Sequence, residues 1–167
     1  FGDGRLKLFL FSLIVSVASS VYWTFSVEMI TSVASQTGIL GMDQRFGAQL
    51  FWVILGIAGC AGVITGDLVA RLGLGFSSKL LLVLMAGALS LLALATSEGA
   101  LVLLSAVLFG ASFVALAAIV GIWAVHSFHQ RPSAGFGLVF LTMSIGQCIG
   151  PFMAGFIAEN YGLATAF

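Results

Sequence analysis

From Lys7 to Glu28 the chain carries no charged side chain; every residue between them is apolar, aromatic or hydroxyl-bearing. At about 1.5 Å per residue, such a run makes a helix about 30 Å long, the thickness of a bilayer's hydrocarbon core. Four similar runs follow, and spans are expected over residues 7–30, 47–66, 79–96, 99–125 and 133–158. The breaks between them are polar. Residues 31–46 hold Ser, Gln, Gly, Asp and Arg, and residues 67–78, with Asp67 and Arg71, read as a loop. Ser97-Glu98-Gly99 reads as a tight turn, and His126 to Pro132 ends in a proline suited to the first turn of a helix. The expected fold class is all-α: a polytopic transmembrane helix bundle of five spans. Barrel strands are about 10 residues long with alternating polarity, half the length of these runs.

Composition excludes several other classes. Only 7% of the 167 residues are charged and 60% are hydrophobic, where a soluble domain carries roughly 25% charge. Twelve charges cannot cover a water-soluble globule of this size. A net charge of zero and the lack of a basic patch argue against nucleic acid as a partner. Cys60 and Cys148 each sit in the middle of an apolar stretch, so no disulfide scaffold is expected. The first run is too long for the core of a signal peptide. The tail 161–167 is too short to cross a bilayer and reads as the start of a sixth helix.

With five spans, the N-terminus and the second and fourth connections share one side. That side holds Arg5, Lys7, Arg71, Lys79 and Arg131, and the other holds Arg45 alone. Basic residues are retained on the cytoplasmic face. The N-terminus is therefore expected in the cytoplasm, in a protein integral to the plasma (inner) membrane and surrounded by lipid bilayer.

Glycines are grouped. Gly56, Gly59, Gly62 and Gly66 lie close to one face of the second span, and Gly146, Gly150 and Ala154 recur every four residues on the fifth. Small residues let two backbones approach closely. The stripes suit either static packing or an interface that slides or rocks. Pro151 removes one helical hydrogen bond beside the second stripe.

The segment Gly137-x8-Gly146-x3-Gly150-Pro151-x2-Ala154-Gly155 resembles the glycine-proline motif of the major facilitator superfamily, with Ala154 in place of the first glycine of the final pair. Gly66-Asp67-Leu68-Val69-Ala70-Arg71-Leu72-Gly73 is similar to the loop signature G-x-L-A-D-R-x-G-R-R of the same family. Gly66, Leu68, Arg71 and Gly73 fit it, while Ala70 replaces the acid and Leu74-Gly75 replace the two basic residues. The degenerate loop copy, and the missing Arg-x-x-x-Gly-like element on the fourth span, resemble the second half of such a transporter. The five spans would then be helices seven to eleven, most of one six-helix half. The resemblance implies a secondary transporter that moves a small-molecule solute by alternating access, with the other six-helix half as partner. It implies no cofactor and leaves coupling to protons or another ion open. It implies gating or conformational roles for Gly66, Arg71, Gly73, Gly137, Gly146, Gly150, Pro151 and Gly155, with the second and fifth spans facing the other half.

In that family the first and fourth helices of each half line the solute cavity. Ser12, Ser16 and Trp23 recur at helical spacing on the first span here, and Ser105, Ser112 and Trp123 lie near one face of the fourth. Hydroxyls and indoles on one face suit a mostly apolar or amphipathic solute. The alternative is that each serine bonds a carbonyl of its own helix and the tryptophans anchor the interface. No ionisable group lies near the middle of a span.

Two other classes compete. A small structural or assembly membrane protein shares the composition. An intramembrane serine protease of the rhomboid kind is suggested by Gly110-Ala111-Ser112 and the histidines that follow. Ser112 and His126 are 14 residues apart on one expected helix, about 21 Å along its axis, too far for a base and its nucleophile. No enzymatic activity is expected and no metal site is read.

Overall fold

The computed structural model describes residues 3–37, 44–95, 98–162 and 165. Six α-helices and one 3-10 turn follow in order: α1 (Asp3–Thr37), α2 (Gln44–Gly59), the turn Cys60–Ile64, α3 (Thr65–Leu72), α4 (Leu74–Leu94), α5 (Gly99–Ser127) and α6 (Pro132–Tyr161). No strand occurs among the described residues. Among the described residues, five stretches are long and apolar enough to cross a membrane: Gly4–Thr31, Phe46–Leu72, Leu74–Leu94, Gly99–Ser127 and Pro132–Tyr161. In lipid every backbone N–H and C=O must find its partner within the protein, and a helix pairs all but those of its first and last turns internally. Serines fit such helices by bonding back to their own backbone: Ser12 to the Leu8 carbonyl at 2.8 Å, Ser78 to Leu74 at 2.7 Å and Ser144 to Phe140 at 2.9 Å. The Ser97-Glu98-Gly99 turn lies partly outside the described residues, and the expected helix start at 161–167 lies mostly outside them.

The second span departs from its expected boundary. Residues 67–78 are not a loop. The span continues as α3 through Asp67 and Arg71, and α4 starts at Leu74. Charge ends an apolar run, but it does not end a helix. Asp67 stands in the first turn of α3 and Arg71 in the last, each at the end that complements the helix dipole. The helix stops at Gly73, whose φ of 78° and ψ of 155° belong to a region essentially restricted to glycine. The Ser77 hydroxyl donates to the Leu68 carbonyl at 3.3 Å across this corner.

α5 is the central element and touches every other helix, while α1 makes its broadest contact with α6. α4 and α2 pack on other sides of α5, and α3 meets α4 and α5 but not α6. The core is built from Val15, Tyr22, Phe51, Met85, Leu92, Phe109 and Leu116.

The glycine stripe on α6 faces inward, which corrects the expectation that it meets another bundle. A Cβ on Gly146 would strike the Ser16 hydroxyl and come within 3.0 Å of the Leu13 carbonyl. One on Gly150 would strike the Ser20 hydroxyl and lie 2.6 Å from the Val17 carbonyl. Gly146, Gly150 and Ala154 are buried, so the stripe is the surface on which α6 lies against α1. The second-span stripe divides. Gly59 and Gly62 pack on Val114 of α5, whereas Gly56 and Gly66 have no atom within 4 Å of a would-be Cβ. Periodicity defines such a face, but not whether its partner belongs to the same bundle.

Candidate functional site

The expected solute face does not form as one surface. Ser12, Ser16, Ser105 and Ser112 are all buried within the bundle. Ser16 donates to the Leu13 carbonyl at 2.9 Å and Ser112 to the Leu108 carbonyl at 2.6 Å. The Ser16 and Ser112 hydroxyls thus bond to their own helices between packed neighbours. Trp23 and Trp123 also separate. Trp23 meets α5 at Phe109 and Phe113, while Trp123 sits toward the other end of that helix, tilted against Phe11 at 5.8 Å. The Trp123 ring lines a cavity with Phe11, Leu74, Gly75, Ser78, Lys79 and Leu82, between α1, α4 and α5.

Around Trp23 the helices do assemble a distinct site. α1 contributes Tyr22 and Trp23, α2 contributes Phe51 and Trp52, and α5 contributes Phe109 and Phe113. Tyr22 stacks on Phe109 with centroids 3.7 Å apart and lies near-parallel to Phe51 at 6.1 Å. This inner layer is buried. Above it Trp23 stacks flat on Trp52 at 5.3 Å and 8°, with its edge toward Phe109 and Phe113 at 5.8 and 5.7 Å. Trp23 remains 37% exposed, and Trp52 and Phe113 are half-buried.

A short hydrogen-bond chain fixes the inner layer. The Ser105 hydroxyl gives its one proton to the Ala88 carbonyl at 2.7 Å, so the Tyr22 hydroxyl donates to Ser105 at 2.9 Å. That links α1, α5 and α4 at one level. The close approach of α2 depends on Gly110, where a Cβ would strike the Leu55 carbonyl of α2. Six rings with no charged side chain among them form a polarisable plate, whose chemistry is stacking and dispersion rather than proton transfer. The pairing of Trp23 with Trp52 was not foreseen. The Phe51-Trp52 dipeptide was its only sequence signal, and a dipeptide does not reveal which helix it will face.

The residues implicated in gating are scattered. Gly66 and Arg71 are exposed on α3, and Arg71 shares a surface cavity with Ile64, Asp67 and Leu68. Gly73 forms the corner after them. Gly137 has open space where a Cβ would go, Pro151 is half-buried within α6, and a Cβ on Gly155 would lie 3.8 Å from the Phe25 ring. Gly146 and Gly150 belong to the α1 contact already described. The protease geometry does not arise either. Ser112 and His126 lie on the same continuous α5, and the His126 ring bonds its own helix at the Ile122 carbonyl, 2.8 Å away. Among the described residues no group of His, Cys, Asp or Glu could hold a metal ion.

Comparison with curated proteins and with solved structures gives no match. A family model does match: that described as "Uncharacterised MFS-type transporter YbfB" aligns with residues 8–166, nearly the whole chain. An all-helical bundle with five membrane-spanning helices, matched from its first span to its tail, therefore belongs to the YbfB-type family of major facilitator transporters.

Proposed function

We propose that the chain provides helices seven to eleven of an alternating-access transporter and that its solute is a planar, largely apolar molecule stacking on Trp23 and Trp52. Membership of a transporter family makes the chain a carrier rather than an enzyme. The observation that carries the solute reading is the half-exposed indole pair, backed by four further rings and free of charge. In this reading the other six-helix half closes over the plate, and the two halves rock about it. The corner at Gly66, Arg71 and Gly73 serves as the hinge on the basic side, and Arg71→Ala slows transport without loss of folded protein.

Uptake by the full-length transporter tests the solute class. Stacking on an aromatic ring contributes roughly 0.5–1.5 kcal/mol beyond buried area. Trp23→Ala or Trp52→Ala should therefore raise the half-saturation concentration for planar aromatic solutes up to about tenfold. Aliphatic solutes of equal size should be little affected. Loss of both solute classes in parallel, or of neither, would sink the stacking assignment.

A further inference from the structure

At the end of the bundle opposite Trp23, a second concavity has a different chemistry. Its volume is about 230 Å³, and it is lined by Arg5 of α1 together with Phe128, His129, Gln130 and Arg131 of the α5–α6 connection. That is several times the roughly 30 Å³ occupied by a water molecule in the liquid.

The cavity is built from the packing beneath it. Gly135 in the first turn of α6 is buried, and a Cβ there would collide with the Phe128 ring. Glycine thus lets that ring settle onto the helix. Phe9 holds the ring edge-on at 6.3 Å, and the Arg5 guanidinium lies over its face, 4.8 Å from the centroid. The fork is therefore held in place before any ligand arrives. Arg131, at the N-cap of α6, brings the second guanidinium, and His129 adds an imidazole. No acidic residue lines the cavity among those described. Asp3, the acid nearest to Arg5 in sequence, has a side chain outside the described residues.

We propose that Arg5, His129 and Arg131 hold the phosphate of an anionic phospholipid headgroup. Arginine forks match phosphate oxygens in pairs, and basic pockets between membrane helices are suited to such headgroups. A free phosphate ion shares the charge chemistry. The surroundings favour the lipid, because the cavity sits where the spans Gly4–Thr31 and Pro132–Tyr161 begin. Just inward from it α1 and α6 expose Leu6, Leu10, Leu138 and Leu141, a surface for acyl chains.

The test is thermal melting of the purified full-length protein in neutral detergent, with bound lipids counted by native mass spectrometry on the folded, monodisperse fraction. Phosphatidylglycerol should raise Tm saturably, while phosphatidylcholine and sodium phosphate should not. The Arg5→Gln/Arg131→Gln pair should bind phosphatidylglycerol about tenfold more weakly, ~1.4 kcal/mol. Lys7→Gln/Lys79→Gln removes the same charge from the same end outside the cavity, where solvent screens it, and should change binding less than about twofold. Equal weakening in both pairs would show diffuse attraction and overturn the site. Inorganic phosphate binding as tightly as phosphatidylglycerol would overturn the lipid as its source.

Discussion

A single methyl group is enough to probe how α6 is seated. The helix lies on α1 through Gly146 and Gly150, with serine hydroxyls directly opposite both. Gly146→Ala puts a Cβ into the Ser16 hydroxyl, and overpacking of this kind costs about 1–3 kcal/mol. Ser16→Ala removes the hydroxyl, but the Leu13 carbonyl stays 3.0 Å away. The double variant should therefore recover part of the lost stability, measured by unfolding in mixed micelles. No recovery would mean that these two residues do not meet. The same residues show what the sequence could and could not express. The spacing of Gly146, Gly150 and Ala154 marks one face of α6, and all three residues are buried. Spacing could not say which neighbour that face meets, because an inward helix contact and a solute wall have the same period. Ser12, Ser16, Ser105 and Ser112 turned inward because each can satisfy its hydroxyl within the bundle and so tolerates burial.

Among the helices, the α3–α4 corner separates conformational from steric demands. Gly73 and Gly75 both have open space where a Cβ would go. Gly73 has a φ of 78°, while Gly75 is an ordinary helical residue of α4. Gly73→Ala should cost roughly 1–3 kcal/mol through backbone strain alone. Gly75→Ala should be neutral or stabilising by up to about 1 kcal/mol, because alanine loses less freedom in a helix. Paired melting curves check the contrast, and equal shifts for the two would show that Gly73 does not set the corner. Five spans could be read directly from the chain because their apolar runs match a bilayer's thickness. The corner was misread because Asp67 and Arg71 mark where the apolar run ends, whereas the chain turns here at Gly73, whose backbone conformation demands glycine.

Seen whole, the bundle is polarised. The Arg5 contact with Phe128 brings the start of α1 to the α5–α6 connection. The cavity shared by Phe11, Leu74, Lys79 and Trp123 brings the start of α4 to the same end. Arg5, Lys7, Arg71, Lys79, His126, His129 and Arg131 therefore gather at one pole, and the aromatic plate lies toward the other. We expect the basic pole to be cytoplasmic. A single cysteine at Gln130, with the exposed Cys60 and Cys148 replaced, should react with a membrane-impermeant maleimide only after intact cells are opened. Labelling of closed cells would reverse the orientation.

The link from Tyr22 through Ser105 to Ala88 also has a mechanical consequence. Load applied to the first turn of α1 would peel the helix from α6 and from the end of α5 residue by residue, then reach a point tied by hydrogen bonds to α5 and α4 at once. Extraction by a cantilever should stall there, after roughly 70 Å of chain has been drawn out, and Tyr22→Phe should lower the force at which it resumes.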